Sequence, residues 1–208
     1  NWNLEWQAPT RANCVDEEII AAAKKSGCHT FRFGLESGDP ETLKKIDKRI
    51  DKDKAEMAIR LCKKYGIQSI TYFIIGYLGE NETTMRRTID FAKWLKPNFA
   101  AFFPATPMPD TRLLHEAVEK GLMPKNYWEE FVLGKRSDPI PFVTKNAAEW
   151  TRKAYREFYF NWRYIFKQMI TIKFWIHFIS NCKTAINLLT MRFQRRDAEG
   201  NITTGLST

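Results

Sequence analysis

The apolar positions of this chain change period several times, and the changes lay out its architecture. Ile19, Ile20 and Ala23 recur at helical spacing behind Asp16, a residue type that caps helix starts, and the run stops at Gly27. Residues 30–35 then read as a short strand. Ala55, Met57, Ala58, Leu61 and Cys62 form a second helical stripe across 52–65. Residues 69–75 are β-branched and aromatic with little alternation, which suits a strand covered on both faces. Residues 82–95 predict the next helix, stopped before Pro97, and 99–103 the next strand. At the start, residues 3–7 predict a strand that leads into a polar turn at 9–13. Asp39-Pro40 opens a short helix over 41–48, and 111–120 is a helix ended by Gly121. Pro104, Pro107 and Pro109 keep the loop between them out of helix. Helix, Gly stop, strand and polar turn in alternation predict an α/β fold with parallel strands. Four strands with three or four helices make about half of a TIM-type (β/α) barrel. A half sheet leaves an open edge, which proteins normally cover or pair.

Beyond residue 121 the character changes. Residues 122–146 carry prolines and aromatics without a period and read as a segment wrapping the 1–121 body. A C-terminal helical extension is predicted over 147–195, in one or two pieces, with Trp162, Ile165, Met169, Ile172, Ile176 and Ile179 on one stripe. Lys167, Lys173 and His177 interrupt that stripe well short of the roughly 20 apolar residues a membrane span needs. Residues 196–208 read as a flexible tail.

Charge and cysteine usage narrow the function classes. The formal net charge is +9, with much of the excess after Trp150. Such a segment suits an anionic membrane surface, RNA or an acidic domain, or is simply a solvated helix face. The four cysteines are scattered, and no pair has the spacing of a zinc site, an iron–sulfur site or a redox dithiol. Cys28 and Cys62 fall among core positions, so the thiols are expected to be reduced and the compartment cytoplasmic. The start shows neither the basic nor the apolar region of a signal peptide, and the missing initiator Met hints at preceding chain.

Two stretches carry the candidate chemistry. Phe31-Arg-Phe-Gly-Leu-Glu-Ser-Gly38 follows the helix ending Lys24-Lys-Ser-Gly27, and Tyr72-Phe-Ile-Ile-Gly-Tyr-Leu-Gly-Glu80 follows Lys63-Lys-Tyr-Gly66. Both run through a short strand into glycines beside one carboxylate. In parallel α/β sheets ligands sit beyond the carboxyl ends of the strands, which puts Glu36, Ser37, Gly76 and Glu80 on one rim.

Together with Arg11-Ala-Asn-Cys-Val-Asp-Glu-Glu-Ile-Ile20, Pro107-Met-Pro-Asp-Thr-Arg-Leu113 and Tyr155-Arg-Glu-Phe-Tyr159, these motifs match a known order and spacing. The chain resembles the C-terminal part of the radical S-adenosylmethionine (SAM) superfamily, in the class whose members carry a cobalamin-binding domain. The resemblance implies a partial barrel holding SAM and a [4Fe-4S] cluster at its strand ends. Reductive cleavage of SAM to a 5′-deoxyadenosyl radical then drives methylation or oxidative cyclisation, with cobalamin used by some members. It also assigns cofactor-binding roles. Glu36 would accept from ribose hydroxyls or the SAM amino group, and Ser37 adds a small donor and acceptor. Gly38 allows close backbone approach, and Gly76 and Gly79 leave room for adenine. Glu80 stands beside them, and Arg11 would meet the SAM carboxylate. Each has a competing structural role. Glu36 could cap the helix after Asp39-Pro40, Glu80 could order its own turn, Arg11 could pair with Asp16 or Glu17, and the glycines could serve turn geometry alone.

Departures from the family pattern matter as much. The three-cysteine Cys-x3-Cys-x2-Cys loop that holds the cluster is missing, so no metal ligands are assigned in this chain. The Gly-Gly-Glu turn is missing too, and Pro107-Met-Pro-Asp-Thr111 has Asp where relatives have Gly. The expectation is a fragment inactive on its own, completed by a separately encoded or missing N-terminal half and acting on a small-molecule or lipid-like substrate. The alternative is a non-catalytic remnant whose basic aromatic helices contact a membrane surface, with nucleic acid the weaker partner. An ordinary α/β protein sharing the repeat by chance is the third reading.

Overall fold

The computed structural model describes residues 4–169 together with 194–196 and 202–204. Four strands, β1 (Trp6–Thr10), β2 (Cys28–Glu36), β3 (Gln68–Ile75) and β4 (Phe99–Pro104), form one sheet in the order β1-β2-β3-β4, every pair parallel. Helices α1 (Glu17–Lys25), α3 (Lys52–Lys64) and α4 (Glu82–Leu95) make the crossovers, with the short α2 (Pro40–Lys45) ahead of α3. This is the expected α/β partial barrel of parallel strands.

The helix starts are fixed by short polar side chains. Asp16 accepts from the Ile19 amide, Asp39 from Thr42, Asp51 from Asp53 and Lys54, and Asn81 closes a reciprocal box with Thr84. Of the three apolar positions assigned to α1, Ile20 and Ala23 are buried while Ile19 is exposed. The first strand runs on to Thr10, through the expected turn, because Ala8 and Thr10 pair with Phe31 and Phe33.

The two faces of the sheet differ. Phe31, Phe33, Leu35, Thr71, Phe73, Ile75, Ala100 and Phe102 point to the helices and are buried. Within this helix-side core Phe73 stacks on Phe102, with ring centroids 5.4 Å apart. The opposite, inner face carries Gln7 and Pro9 on β1, Arg32, Gly34 and Glu36 on β2, Ile70, Tyr72 and Ile74 on β3, and Phe99, Ala101 and Phe103 on β4, all exposed or half-buried.

The outer edge of β4 is sealed by α7 (Ala147–Tyr159) and α8 (Trp162–Met169). The Tyr159 hydroxyl accepts from the Ala100 amide at 3.1 Å and donates to its carbonyl at 2.8 Å. Tyr155 accepts from the Phe102 amide at 3.1 Å, and Tyr164 donates to the Asn98 carbonyl. Side chains thus satisfy backbone groups that would otherwise invite another strand. Glu157 ties α7 to α4 through Arg86 at 2.7 Å and Lys93 at 3.0 Å.

Residues 122–146 contain a further helix, α6 (Tyr127–Val132), after α5 (Arg112–Glu119). They enclose a second apolar cluster in which Tyr77, Leu113, Ala117, Met123, Tyr127 and Val143 are buried. The helical extension breaks at Phe160-Asn161, and the apolar stripe from Ile172 onward lies outside the described residues. In the C-terminal segment, β5 (Gln194–Arg196) and β6 (Ile202–Thr204) pair antiparallel. Among the described residues no helix is long and apolar enough to cross a membrane.

Candidate functional site

Parallel pairing puts the carboxyl ends of all four strands on one rim, so Arg11, Glu36, Gly76 and the loop after Pro104 leave the sheet on the same side. Within that rim the expected site residues divide by what their side chains already hold.

Glu36 is the residue built to face inward. The β2–β3 register pairs Gly34 with Tyr72 and Glu36 with Phe73, so Leu35 bulges, and Glu36 sits at φ +61°. A non-glycine residue there is strained, and bulges re-aim side chains. Its carboxylate folds back over Gly34, where a Cβ would lie 2.7 Å from Glu36 Oε1. Lys48 Nζ, from the loop after α2, holds the same oxygen at 3.2 Å. The α2 cap belongs to Asp39, not to Glu36.

Ser37 and Gly38 turn the other way, into the body. Ser37 Oγ is within 3.0 Å of Thr88 Oγ1 on α4 and accepts from the Asp39 amide. The Gly38 amide donates to Thr88 Oγ1, and a Cβ on Gly38 would meet the Arg87 carbonyl oxygen at 2.4 Å. Helix packing therefore requires that glycine. Asp39 beside it is buried and paired with Arg87 at 2.6 Å. Burial opposes its ionisation, but the bonds from Thr42 and Arg87 prevail and its pKa is lowered.

The second carboxylate motif is an internal anchor. Glu80 Oε2 accepts from the Gly76 and Tyr77 amides at 2.8 Å each, and Oε1 from Thr42 at 3.2 Å. Burial pushes the Glu80 carboxyl above its usual range against those bonds. Gly76, at φ +77°, leaves room for Ala147 at the start of α7, whose Cβ would be 2.4 Å from an added one. Gly79 similarly faces Lys45 Nζ.

Arg11 follows β1, is exposed, and has no ion pair among the described residues. Its expected competitors are engaged elsewhere: Asp16 caps α1, and Glu17 binds Lys64 and Tyr65. Glu36 and Lys48 thus meet at the rim, and Arg11 leaves the same end of the sheet with its side chain exposed. Between α2 and α3 a hollow of about 320 Å³ includes Lys44, Asp47, Lys48 and Arg49 in its lining.

Sequence reasoning passed over Gly34, Lys48 and Arg32. The signal for two of them was present: Arg32, Gly34 and Glu36 alternate with Phe31, Phe33 and Leu35, the period of a strand with one polar face. Lys48 had none, since its partner is set by the course of a loop.

The cysteines among the described residues do not fit a [4Fe-4S] cluster. Cys28 and Cys62 are buried, burial raising both thiols, Cys62 to about 12, and only Cys14 is exposed among the described residues. Among the described residues no group of three His, Cys, Asp or Glu side chains is placed to hold a metal ion.

Comparison with known proteins agrees with this fold. An uncharacterised methyltransferase of Pyrococcus horikoshii is 33% identical over 171 residues, covering 80% of this chain and 37% of that protein. The cytidylyl-2-hydroxyethylphosphonate methyltransferase of Streptomyces wedmorensis is 28% identical over 129 residues, 58% of this chain and 24% of its own length. The chain therefore spans only about a third of these relatives or less. In fold it is similar to coproporphyrinogen III oxidase of Escherichia coli, a radical SAM enzyme (TM-score 0.54, 10% identity, 75% of this chain and 32% of that one). It is likewise similar to the radical SAM methyltransferase TsrM of Kitasatospora setae, solved with cobalamin and a [4Fe-4S] cluster (TM-score 0.51, 23% identity, 56% of this chain and 23% of that one). With the radical SAM superfamily profile matching residues 8–92, from β1 through β3 into α4, the chain belongs to the radical SAM superfamily.

Proposed function

We propose that this chain is the SAM-holding, substrate-facing part of a radical SAM enzyme that methylates or oxidatively cyclises a small molecule. The observation that carries the reading is Glu36, held by Lys48 over the open space of Gly34 at a strand end. In that seat the carboxylate accepts hydrogen bonds from vicinal ribose hydroxyls, and the Arg11 guanidinium donates to the amino-acid carboxylate of SAM. Gly76 and Gly79 let α7 and Lys45 pack against their turn, and Glu80, Ser37 and Gly38 hold that turn and its neighbour in place beside the adenine. When bound, SAM supplies a sulfonium that can be cleaved reductively or give up its methyl group.

The [4Fe-4S] cluster, and cobalamin if the enzyme uses it, belong in this reading to an N-terminal portion outside these residues. Tyrosines already seal the β4 edge, so the exposed edge of β1 is where such a portion would add its strands. By itself the chain should bind the nucleoside and not turn over.

Titration with S-adenosylhomocysteine tests the assignment. The wild-type chain should bind it, and Glu36→Gln should weaken binding about tenfold or more. No binding by the wild type, or equal binding by the variant, refutes the reading. Anaerobic iron reconstitution of the chain should give no stoichiometric cluster absorbance.

A second reading rests on α8, where Trp162 is 72% and Phe166 61% exposed. There the basic, aromatic C-terminal segment lies on an anionic membrane surface. Salt-sensitive binding to phosphatidylserine vesicles would support it, and binding that salt does not affect would count against it.

A further inference from the structure

We infer that the inner face of the sheet is shaped for a substrate with a flat apolar body and one oxyanion group, carboxylate or phosphate, with Arg32 as the anion's anchor. This rests on reading that face as the lumen of the proposed enzyme, and it adds the class of molecule the lumen takes.

The face is divided. On β3 and β4 it is apolar: Phe99 is 38% and Phe103 50% exposed, and Tyr72 stacks on Phe103 with ring centroids 6.2 Å apart. Partly exposed aromatic surface of this kind is what a ligand-binding wall is made of. On β2 it is cationic. Arg32 lies midway along the strand, and the register sets it beside Ile70, which in turn pairs with Phe99. Its Nη2 donates to Gln7 Oε1 at 2.8 Å. Its Nε is buried and has no hydrogen-bond partner among the described residues. No carboxylate of the described residues forms an ion pair with it.

A guanidinium with a sheltered, unused donor on an apolar rung is unsatisfied as it stands. Its planar fork matches an oxyanion, and an aromatic body attached to that anion would cover Tyr72 and Phe103 in the same move. Gly34 lies one rung beyond Arg32 on the same face, about 7 Å along the strand, and the rim carboxylate of Glu36 folds back over it. The anion is therefore seated one rung deeper than the nucleoside, and the body of the molecule lies across β3 and β4 beside both.

Two probes that share one flat body test the inference on the 208-residue chain: anionic 2-naphthoate and the neutral 2-naphthylmethanol, each measured by equilibrium dialysis. The wild type should bind the carboxylate about tenfold tighter than the alcohol. Arg32→Gln should erase that preference, Arg32→Lys should keep part of it, and Phe103→Ala should weaken both probes alike. Circular dichroism of each variant controls for folding. Equal binding of the two probes by the wild type, binding of neither, or an undiminished preference in folded Arg32→Gln overturns the proposal. Binding of S-adenosylhomocysteine, measured separately, distinguishes the two failures. Nucleoside binding without a naphthoate preference sinks only this inference. A naphthoate preference without nucleoside binding sinks the SAM assignment instead.

Discussion

Replacing Gly34 with Ala would remove the seat of Glu36 without disturbing the fold. The added Cβ meets two atoms within 4 Å, Glu36 Oε1 at 2.7 Å and Glu36 Cδ at 3.7 Å, both at the free end of a side chain. Gly34 is not among the positive-φ residues, so Ala can adopt its backbone conformation. Restricting the unfolded chain should then contribute about 0.4–1 kcal/mol of stability. Against that, the displaced carboxylate leaves Lys48, a partly exposed pair worth about 1 kcal/mol or less. The two nearly cancel, so the melting temperature should move by no more than a few degrees. Binding is a different matter. Charge-assisted hydrogen bonds contribute about 1.5–3 kcal/mol each, so losing one weakens S-adenosylhomocysteine about tenfold to a hundredfold. Isothermal titration and scanning calorimetry on the same preparation read both quantities. Unchanged affinity, or a melting temperature lowered by many degrees, would refute the argument that Gly34 exists to make room for Glu36.

Other substitutions separate the remaining roles. Gly38→Ala drives a Cβ into the Arg87 carbonyl oxygen and against Phe91, fixed parts of α4, so it should cost about 1–3 kcal/mol or more in denaturant titrations. Tyr155→Phe with Tyr159→Phe leaves the Phe102 and Ala100 amides without acceptors, at about 1–3 kcal/mol each. The reopened β4 edge should also raise self-association in size-exclusion chromatography. Glu157 gives a pH signature. Burial opposes its ionisation, but Arg86 and Lys93 prevail, and its folded-state pKa lies below 4.5. Its contribution is then complete above about pH 4.5 and lost as pH falls through the lower folded value. Stability measured from pH 7 to pH 3 should fall less steeply at the acid end in Glu157→Gln.

The elements were legible because each is written in local spacing. The helix read over 82–95 from the stop at Pro97 forms as Glu82–Leu95, with Asn81 capping its start. Strand ends were less so. β1 continues to Thr10 because its pairing with β2 continues, which depends on a strand some twenty residues away. Helix α6 escaped notice because its six residues are too few to show a period. At the site, Gly-Leu-Glu-Ser-Gly looked like one ligand-facing unit, yet the bulge at Leu35 sends Glu36 inward while Ser37 and Gly38 pack on α4.

The chain's periodicity, caps and glycine stops determined its parallel α/β order and put two carboxylate motifs at strand ends, since hydrogen-bonding range and helical or strand period act between near neighbours. Which carboxylate stayed available was decided only in three dimensions. Glu80 was claimed by two amides of its own turn and by Thr42 from another element, whereas Glu36 was turned toward the inner face of the sheet and met a lysine. Such choices depend on contacts between distant segments, and no local spacing records which groups those contacts will satisfy.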